Sequence, residues 1–395
     1  MTKEAIVVGG GIAGAAAAVA LQRAGFDPVI HERHERAAHE LGAYLTVAVN
    51  GLNALRAIGL DPDRVLARGF ATPELELLGA SGRVLAALPL GGPLPDGTVT
   101  TTIRRADLYG ALRDVVEDCG IPVVYGSALE SAERDRDVVV ARFAGGSRKE
   151  TGLLIGADGI RGRTRKILNG DGPEPTYLGL LNTGGFTAGP VAADLAPPPG
   201  VMRMAFGRRS FFGWTTAPDG SVWWFANPPR RRPAAPGEFT PDGWRAYLLD
   251  LFEGDRSCPA AEIIRASDEI VGPWNTDDLR RVPVWQDGRT VLIGDAAHAV
   301  APSAGQGAAM ALEDAAQLGA ELRAHGDVGV ALAAYERARR GRVERVVAEG
   351  RRGSGGKALG PVGSAIRDAM LPMIMRRLHR DGNPQAWILD HRVAA

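Results

Sequence analysis

The chain has 395 residues, 45% of them hydrophobic, and its 46 Lys and Arg residues balance 46 Asp and Glu residues. This length predicts two domains, and the zero formal charge argues against a nucleic-acid partner. The two cysteines lack a C-x-x-C motif and a nearby histidine pair, so we expect neither a disulfide framework nor a metal site. Apolar runs are too short to span a membrane, so we expect a cytoplasmic protein without stable membrane association.

Residues 5–26 predict a buried strand, a glycine turn and a small-residue helix. Gly9, Gly11 and Gly14 match G-x-G-x-x-G, in which the glycines permit a tight turn, close approach to a pyrophosphate and close helix–strand packing. The next predicted strand ends at Glu32, about twenty residues later, where a carboxylate binds a ribose 2′-OH and repels a 2′-phosphate. The segment predicts a site for FAD or NAD rather than NADP. One alternative is a βα unit that binds no ligand. Another is a signal peptide, which the glycines and the following strand disfavour.

Up to residue 268, segments with both helix and strand patterns alternate with segments that predict mainly β-strands. In chain order they predict a loop or strand (42–49), a short helix (50–58), a hairpin (73–90), a strand (98–103), a helix (105–119), strands (121–125, 138–143 and 152–155) and a mainly β region (177–268).

The C-terminal third returns to an α/β pattern. It predicts a buried strand (286–293), an Ala/Leu-rich helix (307–323), a charged helix (335–352), a flexible joint (353–356) and a basic amphipathic helix (361–380). We expect the last helix to dock on its own domain rather than on a membrane or a partner.

Three glycine-containing motifs occur in order along the chain, and an arginine in the run RRADL accompanies them. These features are Gly9–Gly14 with Glu32, Gly156–Gly159 with Arg161, Gly294–Asp295 followed by Pro302, Gly305 and Gly307, and Arg105. Up to about residue 345 the chain resembles the class A flavoprotein monooxygenases, the family of para-hydroxybenzoate hydroxylase and salicylate hydroxylase.

The resemblance implies an α/β fold in which a Rossmann-like FAD-binding domain is interleaved with a mainly antiparallel β-sheet substrate domain and followed by C-terminal helices. The expected FAD-binding domain comprises residues 1–72, 98–176 and 272–352. Residues 73–97 and 177–271 would form the substrate domain, and residues 353–395 the C-terminal helical segment.

The resemblance also implies non-covalent FAD, with NADH or NADPH as a transient co-substrate and O2 adding to the flavin as a C4a-hydroperoxide. The expected FAD contacts are Gly9, Gly11, Ile12, Ala13, Gly14, Glu32, Arg33, Arg105, Asp158, Gly159, Asp295, Gly305, Gly307 and Ala308. Asp295 would bind ribityl hydroxyls, and the helix start after Gly305 would stabilise negative charge on reduced flavin. We assign no catalytic side chain, and we expect His298 to be packed or hydrogen-bonded beside the flavin loop.

Alternation along the β-rich region predicts a substrate wall. Met202, Met204 and Phe206 share one face of a strand, and we group the aromatic residues of the neighbouring runs with them. The predicted pocket comprises Met204, Phe206, Phe212, Trp214, Trp224 and Pro302, the last closing the flavin side. Such a wall suits a flat neutral or phenolic aromatic molecule. The alternative is that these residues only form the core of a sheet.

The resemblance therefore favours an NAD(P)H-consuming monooxygenase that acts on a phenolic or polycyclic aromatic molecule as a monomer or homodimer. A dehydrogenase or reductase on the same fold is one alternative. A non-catalytic protein that sequesters FAD or a ligand is another alternative, although such a protein would not need groups that stabilise reduced flavin. The W-x-W-x-I-P motif of flavin-dependent halogenases is missing, and the nearest run, Trp223–Ala226, does not match it.

Overall fold

The computed structural model describes residues 3–35, 42–170, 172–355, 361–379 and 383–393. The strands in these ranges are β1 (Lys3–Val8), β2 (Phe26–His31), β3 (Tyr44–Val47), β4 (Phe70–Ala71), β5 (Glu74–Leu78), β6 (Val84–Pro89), β7 (Thr101–Arg104), β8 (Val123–Val124), β9 (Leu129–Asp135), β10 (Val138–Phe143), β11 (Arg148–Thr151), β12 (Leu153–Gly156), β13 (Thr176–Pro190), β14 (Val201–Phe206), β15 (Phe211–Thr216), β16 (Ser221–Asn227), β17 (Ser267–Asp278) and β18 (Thr290–Leu292).

The helices of the same ranges connect and cover these strands. They are α1 (Ile12–Arg23), α2 (Val49–Ala57), α3 (Pro62–Val65), α4 (Arg105–Asp118), α5 (Arg163–Asn169), α6 (Pro241–Phe252), α7 (Ala260–Arg265), α8 (Asp295–His298), α9 (Gly307–Ala324), α10 (Val328–Gly355), α11 (Pro361–His379) and α12 (Ala386–Leu389). A short 3₁₀ turn, Pro302–Ala304, precedes α9.

A five-stranded parallel sheet, in the order β18-β12-β1-β2-β8, organises the first layer. The last four residues of β1 are buried because the strand is covered on both faces, which explains its continuous apolar sequence. Helices α1, α2, α4, α9 and α10 contribute to the main core around this sheet. A second apolar cluster joins Ile6, Val8 and Leu154 to the small antiparallel sheet β11-β10-β9. This arrangement confirms the predicted Rossmann-like unit.

A seven-stranded sheet, in the order β17-β13-β16-β15-β14-β5-β6, forms the second layer. Its neighbours are antiparallel except for β14 and β5, which run parallel. Helices α6 and α7 cover one face and bury Trp244 and Phe252 against the aromatic residues of β15 and β16. The hairpin β5–β6, predicted from residues 73–90, therefore joins a sheet whose other strands come from residues 176–278. The expected combination of an α/β unit with a mainly antiparallel sheet is confirmed.

Several predicted boundaries differ from the structure. The strand expected over residues 286–293 is confined to β18, and the charged helix begins at Val328 rather than at residue 335. The prediction of a flexible joint over residues 353–356 is wrong for residues 353–355, because α10 continues to Gly355. Gly356 lies outside the described residues. In the preceding part of α10, Ser303 Oγ donates to Gly350 O at 2.7 Å. Strand β17 extends beyond residue 271, where we placed a domain boundary.

Helix α11 packs against strand β6 of the seven-stranded sheet. Asp368 Oδ2 accepts a hydrogen bond from the backbone N–H of Ala80 at 2.8 Å. The Arg367 guanidinium lies over the ring of Phe206, 4.2 Å from its centroid. Among the helices that the structure describes, we find none with the length and apolar character needed to cross a membrane.

Candidate active site

The carboxyl ends of three adjacent parallel strands bring the predicted motifs together. Val8 of β1 pairs with Gly156 of β12, and Gly156 pairs with Leu292 of β18. The segments that follow these strands therefore begin at one edge of the sheet, where open α/β sheets bind their ligands. Each of the three sequence motifs follows one of these strands.

The glycine motif after β1 is required by close backbone contacts. Gly9 has φ 100°, and a Cβ on this residue would lie 2.5 Å from the carbonyl oxygen of Ala157. A Cβ on Gly14 would lie 1.9 Å from the carbonyl oxygen of Gly9. Gly11 is the N-cap of α1, and no side chain caps this helix, so its first-turn N–H groups suit a phosphate. The turn has the geometry of a dinucleotide cradle.

The end of β2 supplies the predicted ribose acceptor. Glu32 Oε2 accepts from the N–H of Gly10 at 2.8 Å, and its Oε1 accepts from the N–H of His34 at 3.0 Å. These bonds hold the carboxylate beside the glycine turn, where the sequence placed it. Glu32 and Arg33 line a cavity of about 330 Å³ together with Gly9, Asp158 and Gly159.

His31, which the sequence analysis missed, supports the same corner. Its carbonyl oxygen accepts from the N–H of Gly9 at 2.8 Å, and its Nδ1 lies 2.8 Å from Ser127 Oγ. Its ring stacks on Phe143 with a centroid separation of 4.0 Å. Burial, and then the charge of Lys149, lowers the pKa of His31 to about 4, so the ring is neutral at pH 7. In the sequence, the only indication that His31 supports this corner was its position directly before Glu32.

Asp158 follows β12 and presents one partnered and one unpartnered oxygen. Its Oδ2 accepts from the N–H and the hydroxyl of Thr164 at 2.8 and 3.0 Å. Within the described residues its buried Oδ1 has no hydrogen-bond partner. Burial raises the pKa of Asp158, although the Thr164 bonds act in the opposite direction. A buried orphan acceptor is costly, so it fits a site that a bound ligand completes.

The expected flavin end of the site contains an exposed carboxylate and a partly buried arginine. Asp295 begins α8 and its side chain is exposed. Arg105 begins α4, donates to Tyr109 Oη at 3.2 Å and has a buried Nε without a partner in the described part of the chain. Burial alone would lower the pKa of Arg105, but Tyr109 and Asp295 raise it above its ordinary value.

The start of α9 offers backbone donors beside this pair. Gly305 has a left-handed backbone with φ 60°, and Gly307 is the first residue of α9. No side chain caps this end of the helix, so Gly307 and Ala308 begin a turn whose N–H groups are free to bind an acceptor. Pro302 begins the preceding 3₁₀ turn and is exposed. The glycine cradle, the orphan polar atoms and this helix start together fit an extended flavin dinucleotide.

His298 is packed beside this segment, as expected. It is 3% exposed, and its Nε2 lies 2.5 Å from Asp314 Oδ2. Asp314 belongs to a buried ionic network with Glu313 and Arg339, which the sequence analysis did not identify. The available signal was the adjacent Glu-Asp pair within an Ala/Leu-rich helix, because buried carboxylates require partners.

The register of the large sheet separates the predicted substrate residues onto two faces. Met204 pairs with Gly213, whereas the next residue, Ala205, pairs with Phe212. Trp214 pairs with Trp224 and shares the face of Phe212. That face packs on α6 and α7 and leaves these aromatic side chains 1% exposed or less. The prediction that Phe212, Trp214 and Trp224 line a pocket with Met204 is therefore wrong: they form the core beneath the helices.

The opposite face of the sheet, which contains Met202, Met204, Phe206 and Phe225, is directed toward the FAD-binding unit. Tyr44 of β3 contacts Met202 Sδ at 3.9 Å and lies edge-on to Phe225. Gly213 has no side chain between Met204 and Phe225, and a Cβ there would lie 2.3 Å from the Phe225 ring. Phe225 is an aromatic residue of this wall that sequence alternation alone did not select, and the register places Phe211 and Trp223 on the same face. We call this surface the Met204 face.

Comparisons with known proteins agree with this architecture. A family model described as an FAD binding domain matches residues 2–350. The aurachin C monooxygenase/isomerase of Stigmatella aurantiaca is 32% identical over 355 residues, which cover 87% of this chain and 86% of that protein. The FAD-dependent urate hydroxylase of Klebsiella pneumoniae is 31% identical over 359 residues, which cover 88% and 89%.

A solved structure extends the similarity to three dimensions. The crystal structure of Klebsiella pneumoniae HpxO complexed with FAD and uric acid matches this chain with a TM-score of 0.82 and 26% sequence identity. The match covers 94% of this chain and 93% of that chain. The chain and that FAD complex therefore share one fold over almost their whole lengths.

Replacing Asp295 with alanine should weaken FAD binding, because the substitution removes a charged hydrogen-bond acceptor that nothing in the described structure already occupies. The expected loss is about 1.5 to 3 kcal/mol, the range for a hydrogen bond to a charged group. An equilibrium titration of the deflavinated protein measures it. Asp295→Asn is the matched control and should lose less, because one acceptor oxygen remains; equal affinity in Asp295→Ala and the parent protein would contradict the assignment.

Replacing Glu32 with arginine should also weaken FAD binding, since the ribose loses an acceptor and the turn at Gly10 loses its hydrogen bond. The flavin content of the purified protein and the dissociation constant for FAD give the readout. Glu32→Gln keeps an acceptor oxygen and should fall between the parent and Glu32→Arg. Unchanged flavin content in Glu32→Arg would mean that the adenosine end binds elsewhere.

Proposed function

Because this chain belongs to the FAD-binding-domain family of flavoprotein monooxygenases, we propose that it inserts one oxygen atom into a neutral or phenolic aromatic molecule, with NADH or NADPH as electron donor. The overall reaction consumes the donor, a proton and O2. One oxygen atom enters the substrate and the other leaves as water. FAD supplies the chemistry that transfers the electrons and activates O2.

The residues of this chain have separate tasks in that reaction. The cradle at Gly9 to Gly14 and the Glu32 carboxylate would bind the ADP portion of FAD. Asp295 would accept from the ribityl chain, and the start of α9 would place N–H groups near negative charge on the reduced ring. The seven-stranded sheet would cover the reacting end and exclude bulk water from it.

The observation that carries the substrate proposal is the chemistry of the Met204 face. The methionines, aromatic rings and glycine that we name on its strands are uncharged. At the Trp223 end of this face, the Arg104 guanidinium lies over the rings of Phe186 and Trp223 and is paired with Glu269 at 3.4 Å. Methionine and aromatic side chains bind flat rings by stacking and polarisable contacts. Arg367 reaches one end of this face over Phe206, but its guanidinium is paired with Asp368 at 2.6 and 2.9 Å. The face therefore favours a neutral or phenolic ring over a small aromatic acid.

A dehydrogenase or reductase on this fold is the alternative. It would transfer electrons without consuming a stoichiometric amount of O2 for each product. The start of α9, which has no side-chain cap, favours a site built around reduced flavin, which both reactions need. The names of the similar proteins, a monooxygenase/isomerase and a urate hydroxylase, favour oxygen insertion.

Replacing Met204 with tryptophan should crowd the Phe225 ring, which already lies over Gly213, and should raise KM, or uncouple NAD(P)H oxidation from product formation, while FAD stays bound. Initial rates of NAD(P)H oxidation and the yield of oxygenated product over a panel of phenols and fused-ring aromatics give the readout. Phe212→Leu is the matched control, because it changes the opposite, helix-covered face; it should lower the thermal midpoint of unfolding and leave KM unchanged. Normal KM and coupling in Met204→Trp, or a small aromatic acid as the best substrate, would contradict the proposal.

A further inference from the structure

We propose that a buried network beneath α9, built on Asn50, Glu313, Asp314 and Arg339, is a positioning unit that sets the two flavin-facing backbone segments relative to each other. These four side chains are 1% exposed or less. The proposal rests on FAD binding by this fold and is independent of the substrate that we propose above. Its consequence is that residues which do not face the cofactor site still determine FAD affinity.

Asp314 holds the first segment, the turn that presents Asp295. Its Oδ2 accepts from the N–H of Gly294 at 2.8 Å and pairs with His298 Nε2 on the other side of α8. Its Oδ1 accepts from Arg339 Nε at 2.7 Å. Burial alone would raise the pKa of Asp314, but His298 and Arg339 lower it to about 2, so the carboxylate is charged at neutral pH. The ends of α8 are thereby fixed to one carboxylate.

Glu313 holds the second segment through Asn50. The Asn50 side-chain amide donates to Glu313 Oε1 at 2.7 Å and to Gln306 Oε1 at 2.9 Å. Gln306 is the N-cap of α9 and directly precedes Gly307, and its own side chain is buried. Asn50 of α2 therefore connects Gln306, at the start of α9, to the carboxylate of Glu313, which is next to Asp314.

Arg339 joins the two arms. It pairs with Glu313 as well as with Asp314, and Arg342 donates to both Glu313 oxygens at 2.8 and 2.9 Å. Two carboxylates thus face two guanidinium groups. Buried ion pairs of this kind add little stability over apolar packing, so geometric specificity is the better explanation for their presence. Here one arm ends at the backbone N–H of Gly294 and the other at the side chain of Gln306, and the FAD assignment places the adjacent residues Asp295 and Gly307 beside the flavin.

Asn50→Ala tests the proposal without removing a charge. We expect the deflavinated full-length variant to bind FAD about three- to tenfold more weakly in an equilibrium titration, the effect of roughly one hydrogen bond. The flavin reduction potential of the holoenzyme should become more negative, because displaced N–H groups stabilise the reduced ring less. Asn275→Ala is the control: it also removes hydrogen bonds of a partly buried asparagine, to Ala234 in the substrate domain, and it should leave both quantities unchanged.

A double-mutant cycle separates positioning through Gln306 from a general loss of stability. If Asn50 acts through the Gln306 side chain, Gln306→Ala alone should weaken FAD binding, and adding Asn50→Ala should weaken it little further. Parental FAD affinity and potential in Asn50→Ala, with only a lower unfolding midpoint in the FAD-free protein, would overturn the proposal. Fully additive effects of the two substitutions on FAD affinity would overturn the route through Gln306.

Discussion

Contact between backbones at the end of β1 is the constraint on which the rest of the structure depends. A carbonyl oxygen of the Asp158 turn lies where a side chain on Gly9 would be, and Gly9 itself lies where a side chain on Gly14 would be. These contacts let α1 lie close to the parallel sheet and bring three strand ends to one edge. Most of the groups that we assign to FAD follow from that edge, so one added methyl group would affect most of the cofactor site. Arg105 is an exception, because it follows β7 of a separate three-stranded sheet.

The second constraint is the register of the seven-stranded sheet. One face is closed by α6 and α7 and contains the largest aromatic cluster of that domain, which supplies stability. The other face is directed toward the FAD-binding unit and carries methionine and Phe225, which we propose contact the ring of the substrate. Because adjacent residues of a strand point to opposite faces, a shift of one residue would exchange these two functions.

The sequence predicted features that depend on residues close together in the chain better than features that depend on contacts between distant segments. The cradle, Glu32 and the order of the three motifs were predictable because each is a local pattern with its own physical reason. The placement of Phe212, Trp214 and Trp224 was not, since alternation shows which residues of one strand share a face but not how neighbouring strands pair. The network around Asp314 was also missed, because Asn50 and Arg339 meet α9 from distant parts of the chain.

The most direct test of the account is the origin of the oxygen atom in the product. The holoenzyme, NAD(P)H and a turned-over aromatic substrate would be incubated under ¹⁸O2, and the product analysed by mass spectrometry. The account predicts one ¹⁸O atom in each product molecule, one NAD(P)H consumed for each coupled turnover, and no label when ¹⁸O is supplied only as water. A product without ¹⁸O that forms at the expense of NAD(P)H would identify a dehydrogenase or reductase and would contradict the account.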